Sequence, residues 1–136
     1  LMTVTGPDKA SADLPPCAQL LGREWLGFDG VVTSIRFEAK PVFTNRHGTI
    51  QGGFLAAMLD SATGLGALAA LPATQTVVTK TLATRLLKPA RAGPITAKAK
   101  VVSQTGRDMI VEADLIDAEN VTVATATAEL RILDKR

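Results

Sequence analysis

Apolar and polar residues along this 136-residue chain follow two periods, and the switches between them mark out the elements. The stretch "GVVTSIRFEAKPVF" sets Val31, Thr33, Ile35 and Phe37 on one side and Val32, Ser34, Arg36 and Glu38 on the other. That period of two is the signature of a half-buried strand. From about Gly52 to Ala70 the spacing turns helical. Phe54, Leu55, Met58, Leu59, Ala62, Leu65, Leu68 and Ala69 leave almost no polar stripe, and Pro72 closes the run. A helix apolar nearly all round is expected to be buried on most sides. Strand patterns then return in "TVVTKTLATRLL", "PITAKAKVVS", "DMIVEADLID" and "VTVATATAELRIL", joined by short links. Short links predict antiparallel neighbours, because parallel pairing needs a long crossover. A further short helix is expected in "PPCAQLLGREW", with Pro at its start and Gly22 near its end. The expected class is α+β, a sheet curled around one central helix.

Composition narrows the partners. Fifteen Lys and Arg against 13 Asp and Glu leave a net charge of +2, and aromatics make up 4% with no Tyr. Nucleic-acid binding, which needs a concentrated basic face and stacking platforms, is not expected. Cys17 is the only cysteine and His47 the only histidine, so no intrachain disulfide and no structural metal site are expected. A lone cysteine fits a reducing compartment, and a cytoplasmic location is expected. The segment "LMTVTGPDKASADLPP" is polar and broken by Pro, and reads as an N-terminal arm over residues 1–14. A single domain is expected over 15–136. The longest unbroken apolar run, Phe54 to Leu59, is too short to cross a bilayer, so no membrane partner is expected.

Candidate chemistry concentrates in "NRHGTIQGGFLAAMLD", residues 45–60. Free N–H groups at a helix start attract negative charge, and Gly52 and Gly53 leave that end uncluttered. Such a site can serve as an oxyanion hole, though Gly-Gly also suffices as a tight helix entry. Asp60 is a lone acid in an apolar helix, with no Lys or Arg between Gly52 and Ala70. It is either a functional carboxylate or the polar edge of a wet groove. Gly52 and Asp60 are eight residues apart, about 12 Å along a helix axis at about 1.5 Å per residue. A base and an oxyanion donor must each lie about 3 Å from the same reacting group. If both act on one substrate, they come from different subunits of a two-fold dimer.

The same residues resemble the hotdog-fold acyl-CoA thioesterases of the phenylacetic-acid-degradation (PaaI-like) group. In that pattern an Asn, a Gly and His-Gly-Gly precede an Asp on the central helix. Asn45, Gly48, Gln51, Gly52, Gly53 and Asp60 fall in those places. The likeness runs on through "CAQLLGREWLGFDG", similar to the family's lead-in helix and first strand, and through the strand run with its "KPARAG" corner.

The resemblance implies a hotdog fold, one long central helix wrapped by a curved antiparallel sheet of about five to six strands. It implies hydrolysis of acyl-CoA thioesters to free acid and coenzyme A in a site shared between subunits of a homodimer, with dimers often pairing into a homotetramer. No cofactor is required beyond the coenzyme A of the substrate. By position Asp60 corresponds to the catalytic carboxylate, as general base or nucleophile, and Gly52 to the oxyanion donor. Asn45 matches the residue that holds the nearby loop or water, and Thr79 a hydroxyl near the Asp. Gln51 departs from the family's usual His; it can still donate a hydrogen bond to a carbonyl, and His47 is a candidate to compensate. Arg85, Lys88, Arg91 and Arg107 are candidate contacts for coenzyme A phosphates. Two other readings remain open: a non-catalytic acyl-CoA-binding module, which Gln51 permits, and a hotdog dehydratase, which would need a His beside Asp60.

Overall fold

The computed structural model describes residues 14–136; of the expected N-terminal arm, residues 1–13 lie outside this range. Helix α1 (Pro16–Leu20) leads into strands β1 (Glu24–Phe28) and β2 (Val32–Ala39), a 3-10 turn at Pro41–Phe43, and helix α2 (Gly52–Ala69). Strands β3 (Gln75–Leu86), β4 (Gly93–Thr105), β5 (Asp108–Ile116) and β6 (Thr122–Asp134) follow. All six strands form one antiparallel sheet in the order β1-β2-β4-β5-β6-β3, and α2 packs against β2 through β6. This is the hotdog arrangement.

Period-two patterning decides which side of each strand meets the helix. Ile35 and Phe37 of β2, Ile95, Ala97 and Ala99 of β4, and Met109, Val111, Ala113 and Leu115 of β5 are all buried. On β6 the buried residues include Ala124, Ala126 and Ala128, whose small side chains let the helix lie close to the sheet. A close approach also occurs at Gly66, where a Cβ would meet the Ala99 Cβ at 2.9 Å and Val111 Cγ1 at 3.5 Å. Bulges interrupt the pairing in β1, β3, β4 and β6, and each adds local twist that curls the sheet.

Three sequence-based expectations change here. The short helix stops at Leu20, and Glu24 and Trp25 belong to β1 instead. Gly22, with φ +60°, turns the chain between them, and a Cβ there would press on Glu38 Cβ at 2.9 Å. Successive strands β3 and β4 are not neighbours. The link through Leu87–Ala92 carries the chain from one edge of the sheet across to β2, and β3 pairs with β6. Link length limits parallel pairing but does not say which antiparallel partner a strand takes. Finally, α2 is not buried on most sides: Gly53, Ala57 and Asp60 are exposed, and Phe54, Ala56, Ser61, Gly64 and Leu68 are half-buried.

The whole of α2, unlike its longest unbroken apolar run, is long and apolar enough to cross a membrane by length and composition, with 18 residues and a mean hydropathy of 1.2. Here its apolar residues Leu55, Met58, Leu59, Ala62 and Leu65 are spent on the sheet.

An ionic network ties the β4–β5 turn to β6 and β3. Arg107 donates to both carboxylate oxygens of Asp134 at 3.0 and 2.9 Å, and Asp108 meets Lys80 at 2.9 Å and Arg131 at 3.6 Å. Arg107, one of the candidate phosphate contacts, is thus engaged by Asp134. Its hydrogen bond, then that of Gln75, holds the Asp134 carboxyl below the ordinary carboxylate value. A depressed folded-state pKa gives stability that is present above the unfolded value and is lost as pH falls through the folded one. Arg107→Ala is thus expected to be less stable than wild type at neutral pH, with the gap closing in acid, and Asp134 is expected to titrate at higher pH. Urea unfolding across pH and NMR titration of Asp134 check this; an unmoved Asp134 titration would refute it.

Candidate active site

Two features of α2 lie on surfaces that the sheet leaves open. The first is its amino end. Residues 44–51 fold back on themselves through a bridge between Thr44 and Ile50. Asn45 organises this loop: its Oδ1 accepts from the His47 N–H at 2.9 Å and from the Thr49 N–H and hydroxyl at 3.4 and 3.3 Å. Gly48 supplies φ +79° at the turn, a backbone angle that side chains resist. The Phe43 and Phe54 rings stack at 4.1 Å between centroids, which pins the loop to the first helical turn.

The helix's first donors are sorted by this loop. Gln51 N–H donates to the Phe43 carbonyl and Phe54 N–H to that of Gln51, both at 2.9 Å. Gln51 occupies the N-cap position but its side chain makes no capping bond. The first N–H groups of a helix have no intrahelical acceptor, so those of Gly52 and Gly53 are left uncommitted. Beside them runs a groove of about 330 Å³ lined by Asn45, Thr49, Ile50, Gly52, Leu55 and residues 86–90. The Ile50 N–H, donating to the Ala90 carbonyl at 2.8 Å, joins its two walls.

The second feature is Asp60, two turns along the same helix. It is exposed in the single chain, and Thr79 Oγ1 donates to its Oδ1 at 3.0 Å. Thr79 stands where β3 changes register against β6, between Thr79 and Thr81; bulges of this kind re-aim side chains. On the other flank, Arg23 Nη1 donates to Ser61 Oγ at 2.8 Å. A cation therefore does reach the helix next to Asp60, from 38 residues earlier in the chain than Ser61.

The basic candidates separate. Lys88 lines the Gly52 groove. Arg91 lines a neighbouring depression with Pro94, Asp117 and Glu119. Arg85 is exposed on β3 and lines neither. His47 is exposed, and its bond to Asn45 uses its backbone N–H. Sequence reasoning missed the groove's apolar wall of Ile50, Leu55, Leu86 and Leu87. A readable signal existed: adjacent Leu86 and Leu87 end a strand, and two successive strand residues point to opposite faces, so one of them must leave the core.

The sequence pattern that defines the thioesterase superfamily matches residues 47–124, a span that holds Gln51, Gly52, Asp60 and Thr79. A Saccharolobus solfataricus protein provisionally named an esterase is 33% identical over 94 residues, 69% of this chain. The chain spans 66% of that relative's length. Among solved structures, a phenylacetic acid degradation-related protein from Ralstonia eutropha JMP134, provisionally described as a thioesterase, is 30% identical. It superposes with a TM-score of 0.84 over 90% of this chain and 92% of its own. The BH2602 protein from Bacillus halodurans, solved with CoA, is 27% identical with a TM-score of 0.79, over 90% of this chain and 78% of that one.

Proposed function

Because this chain belongs to the thioesterase superfamily, we propose that it hydrolyses acyl-CoA thioesters to the free acid and coenzyme A. The observation that carries the reading is the bond from Thr79 to Asp60 on the open face of α2, a carboxylate oriented by a hydroxyl where a second molecule can reach it. The uncommitted Gly52 N–H supplies the complementary group. Coenzyme A as the carrier is supported by the CoA in the Bacillus halodurans relative and by Lys88 at the groove.

In this mechanism the thioester carbonyl oxygen accepts from Gly52 of one subunit, with Gln51 beside it. Asp60 of a second copy takes a proton from water as the water oxygen bonds to the carbonyl carbon. Negative charge gathers on the carbonyl oxygen, where the helix N-terminus and its dipole favour it. The tetrahedral species then breaks its carbon–sulfur bond, and coenzyme A leaves as a thiolate that is protonated afterwards. Thr79 orients Asp60, and Asn45 holds the loop that presents Gly52. Direct attack by Asp60, through an anhydride that water opens, is the covalent variant. The helix face of Gly53, Ala57 and Asp60, exposed in one chain, is available to the partner of a homodimer, and pairing of dimers gives the homotetramer. One cysteine and an acyl-CoA substrate fit a reducing, cytoplasmic setting.

Purified protein is expected to release free thiol from at least one member of an acyl-CoA panel spanning short, long, branched and aromatic acyl groups. Binding of acyl-CoA with no turnover on any member would instead support the non-catalytic module that Gln51 permits.

A further inference from the structure

Leu86, the last residue of β3, is 56% exposed, yet its side chain is folded back onto α2. A Cβ on Gly52 would lie 2.5 Å from Leu86 Cδ1. With a carbon–carbon bond of about 1.5 Å, Cδ1 therefore sits no more than about 4 Å from Gly52 Cα. An alkyl group thus rests against the very residue whose N–H is left free for a ligand oxygen.

We propose that Leu86 is a specificity-determining residue that favours acyl groups unbranched at the carbon next to the thioester carbonyl. The inference rests on the reading of Gly52 as oxyanion donor. A carbonyl oxygen about 2.9 Å from the Gly52 nitrogen brings the carbonyl's substituents to within van der Waals reach of Leu86. A methylene fits beside the isobutyl group, whereas a tertiary or quaternary carbon pushes one or two extra methyls into space that Leu86 occupies. The side chains of Ile50, Leu55, Leu86 and Leu87 along this wall offer no hydrogen-bond partner. That suits a hydrocarbon acyl group better than the pantetheine arm with its two amides. One methylene-sized group in an apolar pocket is worth about 10–200-fold in discrimination, so a single side chain is enough to set the preference. Leu86 also stands outside the buried core cluster, so changing it leaves the fold's packing intact.

The experiment compares wild type, Leu86→Ala and Leu86→Phe on butyryl-, isobutyryl- and pivaloyl-CoA by thiol release. In parallel, calorimetry follows binding of free CoA and of carba analogues of butyryl- and isobutyryl-CoA, in which CH2 replaces the sulfur. The butyryl-to-isobutyryl ratio of kcat/KM is expected to fall about tenfold or more in Leu86→Ala and to rise in Leu86→Phe, with the analogue Kd ratio moving the same way. An unchanged ratio overturns the proposal, and so does an equal loss for both acyl groups together with weaker binding of free CoA, which would put Leu86 against the pantetheine arm. If wild type turns over none of these three thioesters, the analogue Kd ratios still decide the role of Leu86, while the hydrolase reading stands or falls on the wider acyl-CoA panel.

Discussion

Asp60→Asn is expected to lower kcat for acyl-CoA hydrolysis by about 10²–10⁴-fold, the range for a positioned proton-transfer group. The substitution keeps the shape of the side chain and an oxygen able to accept from Thr79 Oγ1, which lies 3.0 Å from Asp60 Oδ1. It removes only the negative charge and the capacity to take a proton or attack a carbonyl. Asp60 is exposed and its side chain makes no ion pair among the described residues, so unfolding should be little changed and lost activity can be assigned to chemistry. KM is expected to change far less than kcat, since the oxyanion donor and the groove are untouched. Thiol-release kinetics with thermal unfolding as control make the measurement. Wild-type kcat in the variant would remove Asp60 from the mechanism and leave the Gly52 end of the helix as the only candidate machinery.

How much of this was readable beforehand depends on how local the cause is. The strands β2, β4, β5 and β6 follow from alternation within each segment, because the inward side of a strand is written in its own residues. The position of Thr79 beside Asp60 was legible only through resemblance, since a bulge in β3 sets it and nothing in "TVVTKTLATRLL" marks where pairing will slip. The order of strands was not legible for a related reason. Whether β3 turns back on β4 or crosses to pair with β6 depends on where the chain between Leu87 and Ala92 finds partners. It finds them through Leu87 and Lys88 N–H groups donating to Val123 O at 2.9 and 3.1 Å, and through Ala90 O accepting from Ile50. The open face of α2 escaped for a different reason. Small residues such as Gly53, Ala57 and Gly64 read as buried because they are apolar, but they are equally what a helix shows to a surface that another backbone approaches closely.

Gly52→Pro is expected to lower kcat by about 10²–10³-fold, as loss of one oxyanion donor does, and mixing it with Asp60→Asn is expected to bring activity back. Proline deletes the N–H yet suits the first turn of a helix. Gln51, at φ −60° and ψ 134°, already has the extended backbone that a residue preceding proline prefers. A Cβ at this position meets Leu86 Cδ1 at 2.5 Å, the far end of a flexible side chain. Suppose each site combines Gly52 of one subunit with Asp60 of the other. A dimer of one Gly52→Pro chain and one Asp60→Asn chain then holds one intact site and one doubly damaged site. Random exchange makes about half of all dimers mixed, so the mixture should recover about one quarter of wild-type activity. Within a single chain the two groups are about 12 Å apart along the axis of α2, and a site built from one chain would carry a lesion in every copy and recover nothing. Co-refolding the two variants at equal concentration, with mixed dimers verified by native mass spectrometry, separates the two cases. Mixed dimers that stay inactive would show that Gly52 and Asp60 do not serve one substrate from two chains.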